Sequence, residues 1–119
     1  LAEAGIERLR AKGIALTSYL VDLADEWLVP LGFEVATPRD PARRGSHVSL
    51  KHADADRISV ALIEQAQVIP DFRRPDLVRL GCSPLTTSFA EVHEAMRRLR
   101  DLVSSGRHLE IDMRERRVT

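Results

Sequence analysis

The stretch from Val68 to Glu91, VIPDFRRPDLVRLGCSPLTTSFAE, limits what this chain can fold into more than any other, because its periodicity switches inside one short segment. Leu77-Val78-Arg79-Leu80 alternates, so Val78 and Leu80 face one way and Leu77 and Arg79 the other, as on a half-buried strand. Gly81 and Pro84 are expected to break that strand, Gly81 by tolerating positive φ and Pro84 by fixing φ and removing a donor. Ser88-Phe89-Ala90-Glu91 then has the spacing of a capping box that opens a helix. Upstream, Val68-Ile69 reads as a short strand, and Asp71 to Asp76 as a basic loop punctuated by proline. Arg79 is thereby held on a strand beside a rigid turn, with a helix start close in sequence. Such a setting could hold a carboxylate. The plainer reading of the same spacing is a surface ion pair.

Either side of this stretch the pattern is simpler. Ala2 to about Leu28 is helical, with Ile6, Leu9, Leu16, Leu20, Leu23 and Trp27 at spacings of three and four. Gly13 weakens that helix by about 1 kcal/mol relative to alanine and marks a bend or a division into two helices. Pro30 and Gly32 stop it. Phe33-Glu34-Val35 reads as a short strand, Thr37 to Pro41 as a loop, and Arg43-Arg44-Gly45-Ser46 as a turn with a solvated pair of cations. Ser46 to His52 alternates as a strand with Val48 and Leu50 inward. His47 and His52 fall on opposite faces of it, so they cannot share a metal ion, and metal binding is not expected. Asp54 or Asp56 caps a second helix whose buried stripe is Ile58, Ala61 and Leu62. A third helix, Phe89 to about Val103, buries Val92, Ala95, Met96, Leu99 and Val103 and leaves its arginines in water. Ser104-Ser105-Gly106 ends it. The tail from His108 to Thr119 sets Leu109, Ile111 and Met113 alternately against acidic residues, as an edge strand would.

The order helix, strand, strand, helix, strand, strand, helix predicts an α+β fold. A small, mostly antiparallel sheet of three to four strands carries three helices on one face; a split βαβ module is the neighbouring arrangement. Residues 1–105 make one small domain and 106–119 a tail. The 119 residues carry no net charge, which gives no reason to expect nucleic acid or a membrane surface as partner. The arginines of the third helix lack interleaved aromatics and are offset by acids, so they too argue against nucleic acid. The lone Cys82 excludes an internal disulfide and suits a reducing, cytoplasmic setting. Without a histidine beside it in sequence, Cys82 reads as a small buried residue and not a nucleophile. No apolar run approaches the roughly 18 residues of a membrane span.

GSHVSLKH after the Arg-Arg turn, together with VIPDFRRPDLVRLGCSPLTTSFAEV, resembles the C-terminal part of the kynureninase family. IERLRAKGIALTSYLVDLADEWLVPLGFEVATPRDP is similar to the helix and strand that begin that family's small domain, so the likeness covers about residues 6–103. The resemblance implies the small domain of a fold-type-I, aminotransferase-like enzyme that uses pyridoxal phosphate. Such an enzyme hydrolyses L-kynurenine, or its 3-hydroxy form, to anthranilate and L-alanine, in tryptophan breakdown and on the way to nicotinamide cofactors. It also implies a homodimer of complete chains. In the family, the arginine on the strand before the PL…SF turn grips the substrate α-carboxylate; by motif that residue is Arg79. Pro84 and Ser88 would support it by holding the turn and the helix start, while Asp71, Phe72, Arg73 and Arg74 would shape the loop and make ion pairs.

The family's cofactor lysine, phosphate cup and pyridine partner belong to a large domain preceding this part. Lys12 and Lys51, the only lysines, match no such motif. The segment alone is therefore expected neither to bind the cofactor covalently nor to turn over substrate, with the large domain as its partner. Two other readings are the small domain of a cysteine desulfurase-like enzyme and a non-catalytic α+β interaction module.

Overall fold

The opening apolar stripe forms α1, Glu3–Leu23, in the computed structural model, which describes residues 3–40, 43, 45, 47–65 and 70–113. Only the second half of that stripe is covered: Leu16, Leu20, Val21 and Leu23 are buried, while Ile6 and Ile14 stay exposed. The helix passes Gly13 without a break, so it is not divided in two there. Past Leu23 it widens into a π turn, Ala24–Leu28, closed by the Val29 amide donating to the Ala24 carbonyl, and then a 3₁₀ turn, Val29–Leu31. Pro30 has no N–H to give the Glu26 carbonyl, so the helix cannot continue in α form past it. Gly32, at φ 96°, turns the chain away. Trp27 sits half-buried on this π turn, its ring 5.2 Å from that of His93 and beneath the Arg100 guanidinium at 4.3 Å.

Four strands follow the alternation: β1 Glu34–Val35, β2 His47–Lys51, β3 Asp71–Arg73 and β4 Leu77–Gly81. They pair antiparallel throughout in the order β1-β2-β4-β3, and α2, Ala55–Gln65, and α3, Phe89–Ser104, complete the fold with α1. This is the expected α+β layer arrangement, and it contains the split βαβ module as well: β2 and β3, joined through α2, run parallel to each other with the antiparallel β4 between them. Register assigns the two faces. Val35, Leu50, Val78 and Phe72 lie opposite one another across the sheet, with Val48 and Leu80 beside them, and these six meet the helices. Ser49, Arg79 and Asp71 form a row on the other face, next to a row of Glu34, Lys51, Leu77 and Arg73.

Three expectations need correction. The strand before β4 is Asp71–Arg73, where a basic loop was expected; Val68-Ile69 lies outside the described residues, as do Arg44 and Ser46 of the cationic turn. Pro70 and Pro75 bracket this three-residue edge strand, a place where flanking proline costs no ladder bond. Gly81 does not take positive φ; it is the last residue of β4, paired with His47. A Cβ on it would lie 3.1 Å from the His47 ring, so close approach is what favours glycine there. The tail does not extend as an edge strand at its start. Gly106, at φ 78°, folds it into a 3₁₀ turn, Arg107–Glu110, that buries His108 and lets Ile111 reach the core; residues 114–119 lie outside the described residues.

Elsewhere, Ile58, Ala61 and Leu62 are buried on α2, and Asp54 stands immediately before that helix, its carbonyl accepting the Ile58 amide. On α3 the buried face is Val92, Met96, Leu99, Leu102 and Val103, with Ala95 only half-covered.

Candidate functional site

Arg79 stands on β4, directly between Ser49 of β2 and Asp71 of β3, on the sheet face away from the helices. Its neighbours Val78 and Leu80 are sunk beneath the helices, so the backbone under the guanidinium is fixed by the core. The Nη2 amine donates to Asp71 Oδ2 at 2.5 Å. Nε is closed off from solvent with no hydrogen-bond partner among the described residues, and the side chain as a whole is 29% exposed. The reachable donors are therefore at the Nη end. The same Asp71 oxygen also takes Arg73 Nη2 at 3.0 Å. Two cations share one carboxylate, and the group keeps one positive charge.

Arg79 is thus an ion pair, as its spacing alone suggested, but a half-buried one with donors to spare. A carboxylate arriving at the Nη end would meet a guanidinium already aimed by its neighbour. Asp71, expected to shape a loop and make an ion pair, does make ion pairs, but from a strand and with Arg79 as one partner. A hairpin centred on Pro75 places 71 opposite 79, and the Pro75-Asp76 turn was the available signal for it.

Pro84 and Ser88 lie on the turn that leads from β4 into α3. The Ser83 carbonyl accepts the Thr87 amide at 2.8 Å, closing the turn. Ser88 Oγ accepts the Glu91 amide and the Ser88 amide donates to Glu91 Oε1, both at 3.1 Å, so the capping box forms in full. Pro84 packs toward α1 at Gly13, where an added Cβ would lie 3.8 Å from the proline ring. Neither residue shares a hydrogen bond or ion pair with Arg79 among the described residues; they anchor the turn beyond its strand.

A cavity of about 490 Å³ opens on the other side of β4, lined by Leu20, Leu80, Cys82, Ala90, Val92 and Met96 among others. Cys82 is buried, and that burial pushes its thiol up from the ordinary range. A thiol so placed makes a poor nucleophile. Among the described residues no three His, Cys, Asp or Glu side chains converge as a metal site would require. His52 is fully used in structure: Nδ1 accepts the Asp54 amide at 2.9 Å and Nε2 meets the Leu31 carbonyl at 3.2 Å. Lys51 lies on the same sheet face as Arg79, its ammonium 3.8 Å from Asp76.

Residues 9–99 match the kynureninase C-terminal domain family. The chain belongs to that family. The matched span holds all four strands, together with Asp71, Arg79, Pro84 and Ser88. Similar curated proteins are kynureninases: that of Geobacillus thermodenitrificans is 41% identical over 106 residues, covering 89% of this chain and 24% of the relative. That of Shouchella clausii is 40% identical over 107 residues, 90% of this chain and 25% of the relative. The Pseudomonas fluorescens kynureninase is 36% identical over 102 residues, 86% and 24% respectively. The chain spans about a quarter of the length of these kynureninases. No helix among the described residues is long and apolar enough to cross a membrane.

Proposed function

We propose that this chain is the substrate-carboxylate-binding small domain of a kynureninase, the enzyme that hydrolyses L-kynurenine or its 3-hydroxy form to anthranilate and L-alanine. The observation that carries the reading is the half-buried Arg79, anchored from one side by Asp71 and open at its Nη end. Arg79 would bind the α-carboxylate of the amino-acid substrate through paired, charge-assisted hydrogen bonds, fixing its orientation. Pro84 and Ser88 would keep the end of β4 and the start of α3 in place, so that the strand carrying Arg79 does not shift.

Pyridoxal phosphate would supply the electron sink that lets the carbon–carbon bond break. The residues of this chain do not fit that cofactor: Lys51 is engaged by Asp76, and Lys12 is in mid-helix on α1. We therefore assign the cofactor to the part of the enzyme that this chain does not cover, and draw no step through it. The large domain that holds it would be this chain's partner, within a homodimer and a cytoplasmic enzyme. The buried Cys82 argues against the cysteine desulfurase-like alternative, which needs an accessible thiol.

The test is Arg79→Ala in the complete enzyme. Charge-assisted hydrogen bonds are worth about 1.5–3 kcal/mol, so kcat/KM should fall by roughly 10- to 100-fold, mostly through KM. The visible absorbance of the bound cofactor should stay as it is. Loss of the cofactor with an unchanged KM would show that Arg79 serves the cofactor and not the substrate.

A further inference from the structure

Arg79 and Asp71 face each other across the β3–β4 ladder, and Arg73 approaches the same oxygen from two residues further along β3. A lone carboxylate beside Arg79 would be a poor neighbour for a second carboxylate. It would hold the guanidinium in place yet cancel its charge and repel the arriving anion. Arg73 changes that balance. With two cations on one oxygen, the group carries a net positive charge while Arg79 remains tethered through Nη2. Nε is closed off from water, which leaves the Nη end as the one that another anion can reach. Asp71 holds a corner of that end, so it decides which way the remaining donors point.

We propose that Asp71 is a positioning residue for substrate-carboxylate binding, and that Arg73 offsets its charge so that it aims Arg79 without neutralising it. This rests on the reading of Arg79 as the carboxylate ligand. It adds a residue whose part is played through Arg79, on a strand that was expected to be loop. Removing the tether frees the guanidinium to swing over the open sheet face, whereas removing Arg73 leaves Asp71 to hold Arg79 as an exclusive pair. Both changes should weaken the substrate, for opposite reasons, and the second should depend on the first.

The experiment is steady-state kinetics on the complete enzyme with Asp71→Asn, Asp71→Glu, Arg73→Gln and the Asp71→Asn/Arg73→Gln pair, beside Arg79→Ala. Asp71→Asn should raise KM about ten-fold with a smaller change in kcat, short of the roughly 100-fold that a full misplacement costs. Asp71→Glu should recover most of that loss, and the cofactor absorbance and thermal midpoint should stay near wild type. Arg73→Gln should raise KM when Asp71 is present and have no further effect in the Asp71→Asn background. If Asp71→Asn leaves KM unchanged or lowers it while Arg79→Ala raises it, the positioning role is overturned and the carboxylate reading stands. An Arg79→Ala enzyme with unchanged KM removes both. A fall in thermal midpoint that tracks the KM change, with no recovery in Asp71→Glu, would mean that Asp71 is only structural.

Discussion

Arg97 on α3 and Arg79 on β4 use the same chemistry to different ends. Arg97 spends all three of its nitrogens within its own helix: Nε and Nη2 go to Glu94 at 2.9 and 2.6 Å, and Nη1 goes to Asp101 at 2.8 Å. Arg98 adds a further bond to Glu94 at 2.9 Å. Arg79 spends one nitrogen, on a residue of another strand. A helix returns side chains to the same face every three or four residues, so a run of Glu and Arg closes its own network. A strand returns to one face every second residue, so Asp71 and Arg73 can pair along β3, but Arg79 takes its partner from the neighbouring strand. The helical cluster is therefore local and finished. The sheet pair depends on tertiary register and keeps donors for something else.

The widest separation between the two should appear in catalysis. In the complete enzyme, Arg97→Gln should leave kcat/KM within about two-fold, as expected of an exposed network, against the large loss at Arg79. A comparable loss at Arg97 would break the distinction. Next in size is Ser88→Ala, which removes the cap of α3 and should cost about 1 kcal/mol in chemical unfolding. If KM for the substrate rises as well, Ser88 supports the sheet site; if only stability falls, its influence stops at the helix. Gly81→Ala should cost about 1 kcal/mol or less, at the low end for overpacking, because the His47 ring it presses on is exposed and can swing aside. His47→Ala in the same chain should remove most of that cost, which a double-mutant cycle would read.

The smallest effect belongs to the helical cluster itself. Arg97 and Arg98 hold the Glu94 carboxyl down at about 2, below its ordinary 4.5. Its contribution to stability is therefore full above pH 4.5 and is lost as the pH falls toward 2. Glu94→Gln should flatten the pH dependence of the unfolding midpoint in that window, and added salt should shrink the difference, since these groups are solvated.

Where neighbouring residues decide the outcome, the sequence was readable. The alternation of Val48, Leu50, Val78 and Leu80 and the Ser88–Glu91 box came out as their spacing implied, and so did the layer arrangement of the fold. It was least readable where a distant contact decides. Asp71–Arg73 is too short for alternation to mark and lies between prolines, so only its pairing with β4 makes it a strand. Gly81 is explained by a histidine on β2, not by its own backbone angle. Leu109 and Ile111 alternate as a strand would, yet the reversal at Gly106 leaves Leu109 in water and sends Ile111 inward. Arg79 could be placed on the correct face from Leu77–Leu80 alone, but its anchor could not be named without the hairpin register.

Trp27 gives the chain an optical reporter of its own. As the only tryptophan of these 119 residues, it is wedged on the π turn between His93 and Arg100, both from α3. Its emission will follow the docking of the first helix against the third and be largely blind to the far side of the sheet. An unfolding curve recorded by fluorescence and one recorded by a label near Asp71 would therefore coincide only if the two layers come apart together.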